Sequence, residues 1–182
     1  MFTRGSRGKA RLARLLPGLV LFVFCFAYGA PSEGELRAAV IVAIMRFTSW
    51  AETIPDDGQL NVCLVGQPIS EVSLLAADLQ QKVASRALHA RRVVRRDIES
   101  CQVLVMGGDL NEPEYEQLLA AADAKSVLTV CDGCRRGLGE DAIIQLKLRQ
   151  QRVSFEVNLA RAKSSGVALD AQLLELAAVV RK

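Results

Sequence analysis

The sequence predicts one α/β domain in three layers: a mostly parallel sheet with helices on both faces and an antiparallel hairpin toward the C-terminal end. Three observations predict it. Short, nearly continuous apolar runs at Leu60–Gly66, Cys101–Met106 and Val127–Cys131 read as strands buried on both faces. They alternate with segments of helical period, as β-α-β units do. Beyond residue 141, two apolar stretches separated by Arg149-Gln150-Gln151 break that rhythm and read as a hairpin.

In chain order, Ser32-Glu33-Gly34-Glu35 has the pattern of a capping box. Leu36, Val40, Ala43, Ile44, Phe47 and Ala51 follow at helical spacing, and Pro55-Asp56-Asp57-Gly58 ends that helix. After the Leu60–Gly66 strand, Ser70 is placed to cap a helix with Val72, Leu75, Ala76, Leu79 and Val83 on one face. Ala87–Val94 reads as a weaker strand. Its arginines, Arg91 and Arg92 with Arg95 and Arg96 just beyond, suit a solvated sheet edge better than a phosphate site, and His89 suits a half-exposed strand position. Gly107-Gly108 closes the next strand as a turn, lacking the third spaced glycine of a dinucleotide loop. Asn111-Glu112-Pro113 opens a helix with Tyr115, Leu118, Leu119 and Ala122 inward. Ala142–Leu148 and Arg152–Val157 form the hairpin. Asn158 caps a short helix ended at Gly166, and Asp170 caps a last helix with Leu173, Leu176, Ala177 and Val180 on one face.

Residues 1–29 differ in kind. Arg4, Arg7, Lys9, Arg11 and Arg14 lead into the apolar run Leu19–Phe26, followed by small residues at Ala27, Gly29 and Ala30. This reads as a secretory signal cleaved near residue 29 or 30, leaving one domain over 30–182. The run is short for a membrane span of about 20 residues, and bulky Phe24 before Cys25 argues against lipoprotein attachment. The chain of 182 residues carries a formal charge of +3, but setting those five cations aside leaves 18 basic against 20 acidic residues. A folded part near −2 argues against nucleic acid as a partner.

Without Cys25, four cysteines remain: Cys63, Cys101, Cys131 and Cys134. An even number outside the cytosol favours two disulfides, with three possible pairings. Cys63 and Cys101 lie in strands of the same type, and neighbouring strands about 4.8 Å apart suit a bridge between them. Cys131 and Cys134 flank the turn pair Asp132-Gly133, which brings them close enough for a tight second bridge. The same four residues admit two other readings. A thiol oxidoreductase would need a helix N-terminus at the attacking cysteine, where the sequence offers the loop Arg135–Gly139. A zinc site would need two further ligands, and the only histidine is His89.

Little else in the chain carries chemistry. No nucleophile elbow, P-loop or metal-spaced cluster occurs, and no cofactor or metal is expected. Asp132, Glu140 and Asp141 read as surface turn residues. This composition favours a binding or regulatory protein over an enzyme.

Taken in order, Arg46-Phe47-Thr48-Ser49-Trp50, Leu60-Asn61-Val62-Cys63-Leu64-Val65-Gly66, Cys101-Gln102-Val103-Leu104-Val105, Val127-Leu128-Thr129-Val130 and Arg152-Val153-Ser154-Phe155-Glu156-Val157-Asn158-Leu159, closing on Leu173-Leu174-Glu175-Leu176-Ala177, resemble the YfiR family of periplasmic proteins. The resemblance implies a periplasmic repressor that binds the sensor region of an inner-membrane diguanylate cyclase (YfiN-like), is sequestered by an outer-membrane lipoprotein (YfiB-like), and so controls cyclic-di-GMP and biofilm formation. It also implies a homodimer and a disulfide response to redox state. Cys63 and Cys101 match the family's paired cysteines, whereas Cys131 and Cys134 are spaced more closely than the family's second pair. A partner surface is expected on outward apolar residues of the hairpin, drawn from Ile143, Ile144, Leu146, Leu148, Val153 and Phe155. A periplasmic thiol oxidoreductase and a small-ligand receptor for a membrane kinase are the rival readings.

Overall fold

Ser32 and Glu35 start the first helix by satisfying each other's backbone. The Glu35 N–H donates to Ser32 Oγ at 3.2 Å and the Ser32 N–H donates to Glu35 Oε2 at 2.7 Å. From this box α1 runs Glu33–Arg46. The computed structural model describes residues 30–50, 58–78, 80–94, 97–135 and 137–182. The expected leader with Cys25, Ala51, the helix terminator Pro55–Asp57, Leu79, Arg95 and Arg96 lie outside the described residues.

After α1 come β1 (Thr48–Trp50), β2 (Gln59–Val65), α2 (Glu71–Ala76), β3 (Lys82–Val83), β4 (Arg86–Arg92), β5 (Val103–Met106), α3 (Glu112–Asp123) and β6 (Leu128–Cys131). The hairpin β7 (Ile144–Arg149) and β8 (Arg152–Asn158) follows, then α4 (Leu159–Ser164), β9 (Val167–Leu169), α5 (Ala171–Leu176) and β10 (Val179–Arg181). Eight strands form one sheet in the order β10-β8-β7-β6-β5-β2-β4-β3, while β1 and β9 form a separate antiparallel pair. Strands β4, β2, β5, β6 and β7 are parallel, β3 runs antiparallel to β4 and β8 antiparallel to β7, and β10 is parallel to β8. The α/β sandwich with a C-terminal hairpin is the predicted one.

Alternate residues on the buried strands feed two cores. Val62, Leu64, Val103, Val105, Leu128, Val130, Ile144 and Val157 meet α1, α2, α4 and α5 on one face. Cys63, Val65, Leu104, Met106 and Cys131 meet α3 on the other, through Tyr115, Leu118, Leu119 and Ala122. Those four α3 residues are the ones its periodicity named. Asn111, Asn158 and Asp170 cap α3, α4 and α5 as their positions suggest. At the far end of the sheet Arg161 clamps the Asp123 carboxylate with two donors, at 3.2 and 2.6 Å, joining α4 to the end of α3.

Four local expectations need correction. Helix α1 buries Arg37, Ala38, Ile41, Val42, Ile44 and Met45, a face rotated from the expected one, and Ala43 is exposed. Eight consecutive apolar residues, Ala38–Met45, leave the period without a polar stripe to orient it. Helix α2 is short and buries Leu74; Val72 is 76% exposed and Val83 belongs to β3. Cys101 precedes β5 instead of opening it. The last helix stops at Leu176, and Val179–Arg181 pair with Glu156–Asn158 as an edge strand. Two adjacent β-branched residues beside an open strand edge favour that outcome over another helical turn.

Ser32→Ala is expected to lower stability by about 1 kcal/mol, read from the urea midpoint. The Ser32 N–H, with its hydroxyl second, holds the Glu35 carboxyl below the usual range. That contribution is complete above the unfolded carboxyl's pKa of about 4.3 and is lost as pH falls through the folded value. Alanine keeps the backbone N–H and loses only the hydroxyl's lesser share, so the gap between wild type and the variant should narrow slightly in acid.

Candidate functional site

Parallel strands deliver their carboxyl ends to one edge of a sheet, and this edge carries the chain's densest chemistry. Strand β6 ends at Cys131, and the turn Asp132-Gly133 folds back to Cys134. Gly133 sits at φ +89°, and a β-carbon there would lie 2.9 Å from Ile69 Cδ1, so the turn has room only for glycine. The Cα atoms of Cys131 and Cys134 are 5.6 Å apart and their sulfurs are joined. Cys131 is buried and Cys134 half-buried.

Asp132 corrects the sequence reading. Expected as a surface turn residue, it is 0% exposed. Its Oδ1 accepts from Arg37 Nη1 at 2.8 Å, and its Oδ2 accepts from the Ser70 N–H at 2.8 Å and from Ser70 Oγ at 2.6 Å. Arg37, itself 4% exposed, gives Nε to Glu33 Oε1 at 2.7 Å. The Ser70 hydroxyl that was expected to cap α2 is used here instead. One carboxylate thus binds α1, the start of α2 and the end of β6. Asp141 and Glu140 remain at the surface, where the sequence placed them. Only the cysteines around it marked Asp132 out; the partners lie 95 and 62 residues away.

The other cysteine pair is structural in position. Cys63 on β2 and Cys101, two residues before β5, have Cα atoms 5.8 Å apart and joined sulfurs, both deep in the core under α3. The bridge closes a separation of 38 residues.

The remaining expected residues fall as follows. His89 Nδ1 lies 3.0 Å from Asp78 Oδ1 on a half-exposed stretch of β4. Arg91 donates to Ser100 Oγ and Arg92 pairs with Glu71. Among the described residues no three His, Cys, Asp or Glu side chains converge as a metal site. Among the described residues no helix begins near Cys134; the next helical turn described is a short 3-10 turn, Gly139–Asp141. A cysteine activated by a helix dipole is therefore not what this loop presents. Of the hairpin residues expected at a partner surface, Ile143, Ile144, Leu146 and Phe155 are buried in the core and are withdrawn from it. Strand alternation turns Ile144, Leu146 and Phe155 toward the helical layer of α1, and Ile143, which precedes β7, is buried in the same core. Leu148 is 44% exposed and Val153 half-buried.

Two outcomes follow. Asp132→Asn, which leaves Arg37 buried beside a neutral amide, should destabilise by about 3–5 kcal/mol, and pairing it with Arg37→Met should recover much of the loss. Cys63→Ser/Cys101→Ser should cost about 4 kcal/mol by loop-closure entropy. Denaturant melts of each variant check both.

Comparison with known proteins agrees with this geometry. No curated protein matches the chain. A crystal structure described as a conserved domain protein from Vibrio cholerae O1 biovar El Tor superposes with a TM-score of 0.51 at 14% identity, covering 82% of this chain and 60% of that one. The present chain therefore spans about three fifths of that protein, and at this identity the likeness speaks for the fold alone. A sequence family described as YfiR/HmsC-like matches residues 34–178, from the first turn of α1 to the residue before β10, and the chain belongs to that family.

Proposed function

We propose that this protein is an exported regulator that binds the periplasmic part of a membrane diguanylate cyclase of the YfiN type and holds it inactive, limiting cyclic-di-GMP and biofilm formation. The observation that carries the reading is the YfiR/HmsC-like family match across the whole α/β core. Two disulfides fit an oxidising compartment, and no described helix is long and apolar enough to cross a membrane. An outer-membrane lipoprotein of the YfiB type and a second copy of the chain complete the proposed set of partners.

Inhibition of this kind is differential binding. The regulator must prefer the inactive cyclase, because equal affinity for both conformations shifts nothing. Moving the cyclase from almost wholly active to almost wholly inactive requires a preference of about 10⁴-fold. A braced surface supports such a preference, since little ordering entropy is spent on contact. Of the expected hairpin residues, Leu148 and Val153 are the apolar ones that reach the surface and are assigned to contact here.

Co-expression with the diguanylate cyclase encoded nearest this gene tests the reading. Cyclic-di-GMP should fall several-fold when the full chain is made and should not fall when residues 1–29 are deleted. Leu148→Asp should weaken repression by about tenfold, the scale of one interface anchor. Unchanged cyclic-di-GMP with the full chain present, or reduction of insulin disulfides by the purified protein, would overturn it.

A further inference from the structure

The hairpin has two unlike faces. One carries Leu146, Phe155 and Val157 into the core below α1. On the other, no side chain of β7, β8 or β10 joins the core beneath α3. That second face is polar and cationic. Register places Gln145 beside Glu156, Lys147 beside Ser154, and Arg149 beside Arg152, each pair projecting to the same side. Three cations approach the carboxylate of Glu156: Arg149 Nη2 at 3.2 Å, Lys147 Nζ at 3.8 Å and Arg181 Nη1 at 3.8 Å, the last also 3.7 Å from Glu140 Oε2.

This arrangement is not self-sufficient. Like charges directly opposite on antiparallel strands repel, yet Arg149 and Arg152 stand opposite at the hairpin tip, beyond which the chain turns through Gln150 and Gln151. Arg149 is 62% exposed and Lys147 35%, whereas Glu156 is only 9% exposed. The charge that neutralises is sunk and the charges left over face solvent. Among the described residues, two buried polar atoms alongside lack a partner, the acceptor Gln145 Oε1 and the donor Arg181 Nε. All this sits on a chain whose folded part is slightly acidic, so the patch runs against the sign of the molecule.

We infer that the face of the hairpin bearing Lys147, Arg149 and Arg152 is a docking surface for an acidic segment of a partner protein. Charge complementarity selects the sign. The proposed role of the chain, binding a partner protein, selects polypeptide over a phosphate surface. The inference rests on the reading that the chain works by docking, and it adds to that reading a polar surface on the face of the hairpin opposite Leu148 and Val153.

The test is fluorescence anisotropy of labelled poly-L-glutamate titrated with the full chain as secreted. Wild type should bind, and binding should weaken by about tenfold or more as ionic strength rises from about 0.01 to 0.15 M and the Debye length shrinks from about 30 to 8 Å. Lys147→Glu/Arg149→Glu/Arg152→Glu should lose at least about tenfold. Lys82→Glu/Lys125→Glu/Lys163→Glu, an equal charge change at exposed positions elsewhere, should bind like wild type. If the reversals do not melt cooperatively, glutamine at the same three positions carries the test. Equal losses in both triples, or no binding by wild type, would overturn the inference. So would vesicles of phosphatidylglycerol and phosphatidylcholine capturing the protein through these residues while the peptide does not. Peptide binding lost with cyclase repression intact removes this surface alone; repression absent with peptide binding intact removes the regulatory reading alone.

Discussion

A carboxylate shut away from water is tolerable only when its charge is answered and its oxygens are hydrogen-bonded, and Asp132 meets that demand with three hydrogen bonds from two distant residues, Arg37 and Ser70. Its geometry constrains what surrounds it. Arg37 must lie inward on α1, which sets the rotation of that helix over the sheet. Ser70 must present both its N–H and its hydroxyl, which fixes where α2 begins. The cysteines on either side lock the turn so that the carboxylate cannot swing away. A well-packed apolar trio could match the pair in stability; what the ionic version adds is discrimination, because α1 is apolar around much of its circumference and could otherwise settle in several rotations.

That discrimination explains where the sequence could and could not be read. Features decided within four residues were legible. Ser32 with Glu35, Asn111 with Pro113, Asn158 and Asp170 announce helix starts because the cap and the capped N–H are neighbours. The buried strands are legible because a strand covered on both faces is mostly apolar, with few polar positions such as Asn61 and Thr129 to interrupt the run. Features decided at long range were not. Arg37 looks like a solvent-facing residue until Asp132 is brought to it, and Asp132 looks like a turn residue until Arg37 arrives. Three-residue strands such as β1 and β9 exist only because they find each other, and nothing in Thr48–Trp50 or Val167–Leu169 alone signals it. Val180 fell on a helical period by spacing, but the open edge of β8 offered its backbone a better partner.

The sheet is also unevenly covered. Among the described residues, α1, α2, α4 and α5 all press on one face, and the core there gathers residues from nearly every strand. Helix α3 alone covers the other, over β2, β5 and β6, and the hairpin beyond it is left polar. A small core stabilises less and is the one that gains from crosslinks. Cys63, Cys101 and Cys131 all belong to that smaller core, and Cys134 packs against it.

The placement of the sulfurs therefore follows from the layering. Crosslinks in the larger core would add to something already well held. On the α3 side they replace apolar area that one helix cannot supply, tying β2 to the entry of β5 and closing the turn after β6. The same side carries the uncovered hairpin face, with β7 hydrogen-bonded directly to β6. A cationic surface that must meet its partner without rearranging needs a stiff support beneath it, and here the stiffness comes from covalent bonds in the strands next door. Loss of the bridges would thus be felt first on the α3 face and at the polar hairpin surface, with the larger core under α1 still intact.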